Sequence, residues 1–321
     1  MSLRSGARAL ARAPLFILPA LALPTALAAQ LPSSALSVRA GGREVVWWRS
    51  QSAPTAWHAP DPVVAGAVRW TAVRPGLERG RLDLSGEHVG WRVAVILARL
   101  DPARFTLRLD TAAIDGDPDW SIDRLPAGAA LAVNAGQFTG DRAWGWLVMD
   151  GRELQPPGFG PLSSALVIDA AGHVSIADAA EIPALRAGVR AGEGVRAAFQ
   201  SYPAVLAGEG EVPEQLRGAG RGIDLQHRDS RLGLCTLRDG RLLLALTRFV
   251  GLGDVLNRLP FGPTTPEMAA ILGALGCRRA VLLDGGLSGQ LVLRPPRGPL
   301  VRYPGLRAVP LALVAWPNPD P

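Results

Sequence analysis

The segment LLDGGLSGQ, residues 282–290, places Asp284, Gly285, Gly286, Ser288 and Gln290 close together in the chain, directly after an apolar run. A carboxylate at a strand end can act as a base, or as a counter-charge to a cationic transition state. Glycines accept positive φ and let a ligand approach the main chain, and successive amides can form an anion-binding nest suited to phosphate. Ser288 and Gln290 add a hydroxyl and an amide that can orient a polar ligand. The plainer alternative is a hairpin turn in which Asp284 caps its own loop. Spacing excludes two other chemistries. GLSGQ puts Gln290 where a nucleophile elbow needs its second glycine. The acidic run Asp115-Gly116-Asp117-Pro118-Asp119 is followed by Trp120 where a calcium loop needs glycine, and by Pro126 where its bidentate glutamate belongs.

Three further segments carry polar groups at strand boundaries. In VNAGQF, 133–138, Asn134 can hold a ligand hydroxyl or a phosphate oxygen, or simply close a turn. Trp144 and Trp146 follow; exposed, they could stack on a sugar, and buried, they are core. FQSYPAVL, 199–206, offers Gln200 and Ser201. QHRDSRLGL, 226–234, brings His227, Arg228 and Arg231 to a strand entrance, where guanidinium forks suit bidentate phosphate recognition; a solvated basic loop is the plainer reading.

The elements that must position these groups read mainly as strands. GWRVAVILARLD and RFTLRLDTA alternate apolar and polar residues, as half-buried strands do. GWLVMDGREL, ALVIDAAGHVSIAD and RLGLCTLRDGRLLLALTRF read as hairpins, the first turning at Asp150-Gly151 and the third at Asp239-Gly240. Residues 208–230 read as a polar, Gly-rich loop. TTPEMAAILGALGC predicts one helix, capped by Thr264 or Thr265, with Pro266 and Glu267 in its first turn and Met268, Ile271, Leu272 and Leu275 on one face. Many hairpins with few helices define an α+β fold with mostly antiparallel strands.

The chain has 321 residues, enough for a substantial core. Arg4, Arg8 and Arg12 precede an apolar run and an Ala26-Leu27-Ala28 site, the three-part pattern of a secretory signal over residues 1–28. That run is broken by Pro19 and Pro24 and is short for a membrane span. The expected product is periplasmic or secreted, with no stable span after cleavage. Half of the formal +6 charge lies in those three arginines, and no basic run carries interleaved aromatics, which argues against nucleic acid as partner. Cys235 and Cys277 could pair in an exported protein or stay as buried thiols. The four histidines, 58, 88, 173 and 227, lack the spacing of a zinc site. No cofactor is required by the sequence; a divalent ion held by Asp284 and Asn134 is a weaker reading.

Taken in order, the segments resemble the phosphodiester glycosidase family. VNAGQF matches its Asn-Gly-Gly-x-Phe segment, with Ala135 in the first glycine position, and FQSYPAVL matches its Gln-Ser-x-Pro segment. RLGLCTLRDGRLLLALT matches an arginine-headed hairpin, and TTPEMAAILGALGCRRAVLLDGGLSG matches a Thr-x-x-Glu helix running into Leu-Asp-Gly-Gly-x-Ser. The head of the hairpin could be Arg231 or Arg228, while strict spacing from Gly233 puts Asp229 there. The resemblance spans roughly residues 64–316, leaving 29–63 as an N-terminal extension, a tail with one strand at REVVWW, and 317–321 as a C-terminal tail. It implies hydrolysis of a sugar 1-phosphodiester at the anomeric carbon of a phosphorylated carbohydrate, on envelope or extracellular polysaccharide. Asp284, Arg231 and Asn134 would form the catalytic set. Gly285, Gly286, Ser288, Gln290, Gln200, Ser201, Arg228 and His227 would bind substrate, with Glu267 either a second carboxylate or a helix cap. The alternative is a glycan-binding protein that keeps the fold without turnover.

Overall fold

All the strand pairings among the described residues are antiparallel, distributed over three main sheets and one two-stranded ribbon. The computed structural model describes residues 34–87, 91–111, 120–140, 142–218, 224–251 and 259–319. The signal segment expected at 1–28 and the acidic run 115–119 lie outside these residues.

The largest sheet has nine strands. Eight run in the order Ala204–Leu206, Cys277–Leu283, Leu232–Leu237, Leu242–Phe249, Arg92–Leu100, Leu77–Gly86, Ala35–Ala40 and Arg43–Arg49, and Arg69–Arg74 also pairs with Leu77–Gly86. A second sheet orders Arg152–Gln155, Leu147–Met149, Val195–Ser201, Ser164–Asp169 and Val174–Asp178. A third orders Val301–Tyr303, Leu291–Leu293, Leu131–Asn134, Ala312–Pro317 and Phe105–Asp110. The hairpins expected from sequence form as read. At Asp150 and Gly151 φ is +49° and +74°, the two left-handed positions that a two-residue turn matched to strand twist requires.

The sheets are held together by period-two burial. In Arg92–Leu100, Ala94, Ile96, Ala98 and Leu100 point into a core shared with both smaller sheets, where Leu131, Val133, Leu166 and Phe199 meet them. Val93, Val95 and Leu97 point to the opposite face, into a second core that also takes in the helix Thr265–Ala274. This strand is therefore buried on both faces, where alternation had suggested a half-buried one. Its run of Val, Ala, Ile and Leu is the pattern of a doubly covered strand.

Thr264 caps the helix in a full capping box: its hydroxyl accepts from the Glu267 N–H, and Glu267 Oε2 accepts from the Thr264 N–H at 2.8 Å. The helix is buried on nearly every side rather than along the single stripe expected. Its second cover comes from the N-terminal extension, where Trp57 lies against Gly273 and the Asp61 N–H donates to the Ala274 carbonyl. The extension is thus part of the fold. Besides the strand expected at REVVWW it supplies Ala35–Ala40, which pairs with both Arg43–Arg49 and Leu77–Gly86. The boundary placed at residue 64 cuts through one continuous sheet. Cys235 and Cys277 are joined, linking two neighbouring strands of that sheet.

Candidate active site

The polar motifs sit where the chain passes from one sheet to another. Cys277–Leu283 belongs to the nine-stranded sheet and Leu291–Leu293 to the third, so residues 284–290 bridge the two. Val195–Ser201 ends the second sheet immediately before Ala204–Leu206 joins the first. Leu131–Asn134 ends in the third sheet beside the bridge. A side chain at such a crossing leaves the ladder while its neighbours stay fixed, so a polar group can be held rigidly without lying inside a core.

Register brings the two key loops together. Leu232 pairs with Leu283, which sets Arg231 beside Asp284 at the next position outward. The main chain of 229–231 then lies directly on the two glycines. The Gly286 N–H donates to the Ser230 carbonyl at 2.7 Å. A β-carbon on Gly285 would collide with that same carbonyl oxygen, and one on Gly286, where φ is +50°, would lie 3.0 Å from Asp229 Oδ2. The Gly-Gly pair exists so that a second loop can rest on it. This corrects the expectation that both amides serve as an anion nest, because the Gly286 amide already has its acceptor. Gly285→Ala should cost about 2–3 kcal/mol through overpacking. It should also push the Asp284 loop off the 229–231 segment, move the Asp284 carboxylate and lower activity about 100-fold. Chemical denaturation and steady-state rates measure the two effects, and wild-type values in both would contradict this packing.

Asp284 is fixed at three points. Its N–H donates to the Gly136 carbonyl at 2.8 Å, and its carbonyl accepts from Asn134 Nδ2 at 2.8 Å. Its carboxylate Oδ2 accepts from Arg307 Nη2 at 2.9 Å, with the Asp284 side chain 22% exposed. Arg307 Nε also donates to Ser288 Oγ at 2.6 Å. Arg248 ties the assembly from behind, donating to the Gly289 carbonyl at 2.6 Å and the Pro304 carbonyl at 2.9 Å.

Several residues expected to touch substrate are instead buried braces. Asn134 Oδ1 accepts from the Gln290 N–H and its Nδ2 donates to the Asp284 carbonyl, so both ends of the buried amide are engaged within the fold. Gln290 Oε1 accepts from the Ile122 N–H, and its Nε2 donates to the Ser288 and Arg307 carbonyls. Gln200 Oε1 accepts from the N–H groups of Trp146 and Gly158, and Ser201 Oγ donates to the Leu282 carbonyl. Asn134, Gln200, Ser201, Ser288 and Gln290 are all buried, so their work is to hold the crossings together. Ala135 is buried as well and does not have positive φ, which falls at the following Gly136 (+78°), so alanine fits the first of the two positions.

Arg228 is drawn away from the site. Its guanidinium forms a bidentate pair with Glu267, at 2.7 and 2.9 Å, and lies over the Trp91 ring. Glu267 is accordingly a cap and a buried ion-pair partner, not a second carboxylate of the site. Trp146 is core, whereas Trp144 is half-buried and meets Tyr202 edge-on. Arg231 spans to the carbonyls of His227 (2.6 Å) and Pro263 (3.1 Å) and so shapes the loop carrying Asp229. Burial pushes the Arg231 guanidinium down from its usual value, while Asp229, Asp224 and Glu267 push it up.

Two site residues were not singled out from sequence. Arg307 lies in an unpatterned stretch, PGLRAVP, and no spacing links it to Asp284. Asp229 entered only as a possible register of the hairpin head. In the structure it is the carboxylate that meets the Asp284 loop, with Oδ1 buried and without a hydrogen-bond partner. Burial raises its pKa above the usual aspartate range; Arg231, the Ser230 N–H and His227 oppose the shift, and the charge of Asp284 adds to it.

The crossing thus brings together a strand-end carboxylate, its half-exposed arginine partner and a second carboxylate on a rigid buried scaffold. Residues 127–316 match the phosphodiester glycosidase family, and the chain belongs to that family. Among solved structures, it is similar to the zebrafish N-acetylglucosamine-1-phosphodiester alpha-N-acetylglucosaminidase catalytic domain, auto-inhibited by pro-peptide. The identity is 16%, the TM-score is 0.57, and the match covers 83% of this chain and 94% of that one. A hypothetical protein from Synechocystis matches at 17% identity and TM-score 0.49, over 88% of this chain and 67% of that one. No curated protein matches the chain.

Proposed function

We propose that the protein is an exported glycosidase that hydrolyses a sugar 1-phosphodiester at the anomeric carbon, releasing the sugar and leaving a phosphomonoester. Family membership supports the reaction class, and the observation that carries the reading is the Asp284–Arg307 pair at the crossing between two sheets. Asp284 faces the anomeric carbon and either stabilises its developing positive charge or activates water. Arg307, half-exposed, takes the phosphate, with Arg231 adding positive potential from behind Asp229. Asn134, Gln290 and Ser288 hold the geometry, and His227 lies at the rim, 60% exposed.

The test is turnover of N-acetylglucosamine 1-phosphodiesters by the purified chain, with the phosphomonoester assayed as product. Saturable binding without turnover would instead favour a glycan-binding protein. Export is supported by the arginine-then-apolar pattern of residues 1–28. The intact mass of the protein recovered from a secreting host should correspond to loss of that segment. An envelope or extracellular polysaccharide is the substrate that fits such a location. Among the described residues no helix is long and apolar enough to cross a membrane.

A further inference from the structure

When a sugar 1-phosphodiester is cleaved at the anomeric carbon, the phosphomonoester departs as a weakly basic anion and needs no proton. A buried carboxyl beside Asp284 therefore has no task in the reaction proposed above. Yet the fold places one there: Gly285 leaves room for the Ser230 main chain, and Gly286 leaves room for the Asp229 carboxyl against the Asp284 loop. Its side chain is 26% exposed, so it reaches the site surface while Oδ1 stays sealed and unpartnered. A carboxyl in that setting favours its neutral form and can donate a proton.

We propose that Asp229 is the proton donor to the leaving oxygen, and that the site therefore also hydrolyses O-glycosides whose leaving group is an uncharged alcohol. The inference rests on the reading that Asp284 faces the anomeric carbon. In the step, the C1–O bond breaks with its electron pair passing to the leaving oxygen, which takes the Asp229 proton and departs as the alcohol. A water oxygen forms the new bond to C1 and gives its proton to Asp284, from which it returns through solvent to Asp229. Such a substrate requires acid assistance because an alkoxide is strongly basic. The same neutral form of Asp229 also tolerates a phosphate that its anion would repel, so one protonation state serves both substrates.

The groups facing Asp229 set its pH response. His227 Nε2 lies 3.8 Å from Oδ2, Arg231 is on its own segment, and Asp284 with its partner Arg307 stands on the crossing loop. The donor must be protonated, so hydrolysis of an alkyl glycoside falls as pH rises through the Asp229 pKa, which lies above the usual aspartate range.

The experiment uses the full mature chain with methyl and 2,4-dinitrophenyl glycosides of N-acetylglucosamine, glucose, galactose and mannose, in both anomers, beside the 1-phosphodiester. Wild type should hydrolyse at least one methyl glycoside. Asp229→Asn should slow that substrate about 1,000-fold while slowing the matching dinitrophenyl glycoside less than about 10-fold, the signature of a lost general acid. The surviving dinitrophenyl activity shows that the variant is folded. Equal loss on both leaving groups would overturn the assignment, as would a wild type that cleaves the diester but no methyl glycoside. Methyl glycosides cleaved without the diester would overturn the phosphodiester reading and leave Asp229 as donor. Cleavage of neither overturns both.

Discussion

Asp284→Asn should lower kcat on a sugar 1-phosphodiester by about 1,000-fold with little change in stability, a loss in the range found when one positioned acid–base or charge-stabilising group is removed. The argument is that the substitution deletes charge and little else. The two main-chain bonds that hold residue 284, to Gly136 and from Asn134, do not involve its carboxylate. An amide oxygen can still accept from Arg307 Nη2, and Arg307 keeps its second bond to Ser288. Stability should therefore change by less than about 1 kcal/mol, because the side chain is surface-reaching and its surroundings are retained. Rates and thermal unfolding measured on the same preparations separate the two effects. Undiminished turnover would remove Asp284 from the chemistry. A variant that loses activity by unfolding would show the loop to be structural.

The second large effect concerns the pair that the structure withdraws from the site. Glu267 is only 1% exposed, and Arg228 is its bidentate partner. Removing one member of a buried pair leaves the other charge desolvated and uncompensated, at a cost of about 3–5 kcal/mol. Glu267→Ala also dismantles the capping box, worth about 1 kcal/mol. Against a typical stability of about 5–15 kcal/mol, either Glu267→Ala or Arg228→Ala should shift denaturant unfolding markedly. The double variant Arg228→Met with Glu267→Gln should lose less than the two single losses combined, since it leaves no orphaned charge. The same experiment decides the role of Arg228. Should Arg228→Ala keep its stability and lose substrate affinity, the guanidinium would have to leave Glu267 to bind phosphate, contrary to the packing seen.

How much of this could be read from the residues alone depended on the range of the interactions involved. Hairpin turns, the helix and its cap were legible because they are local: Asp150-Gly151 meets the backbone demand of a tight turn, and Thr264-x-x-Glu267 satisfies its own amides within one turn. Antiparallel pairing followed from hairpins, and family membership followed from four short motifs in order. The same motifs misled on roles. Asn134, Gln200, Ser288 and Gln290 carry the polar groups that a sugar site needs, but such groups serve equally well to satisfy main-chain atoms where strands leave a sheet. Only burial and partners distinguish the two uses, and all four side chains are buried and bonded internally.

The remaining decisions were tertiary. Whether Arg228 or Arg231 headed the hairpin could not be counted along the chain, because a guanidinium reaches several ångströms and its partner, Glu267, is 39 residues away. Arg307 and Asp284 are 23 residues apart and meet only because the 304–307 segment folds back over Leu287. The sequence by itself determined the turns, the capped helix, the antiparallel class and the Asp-Gly-Gly loop, each specified by contacts within a few residues. The packing of three sheets decided which carboxylates and arginines meet, since only the crossing points bring distant segments close enough to set their charge and burial.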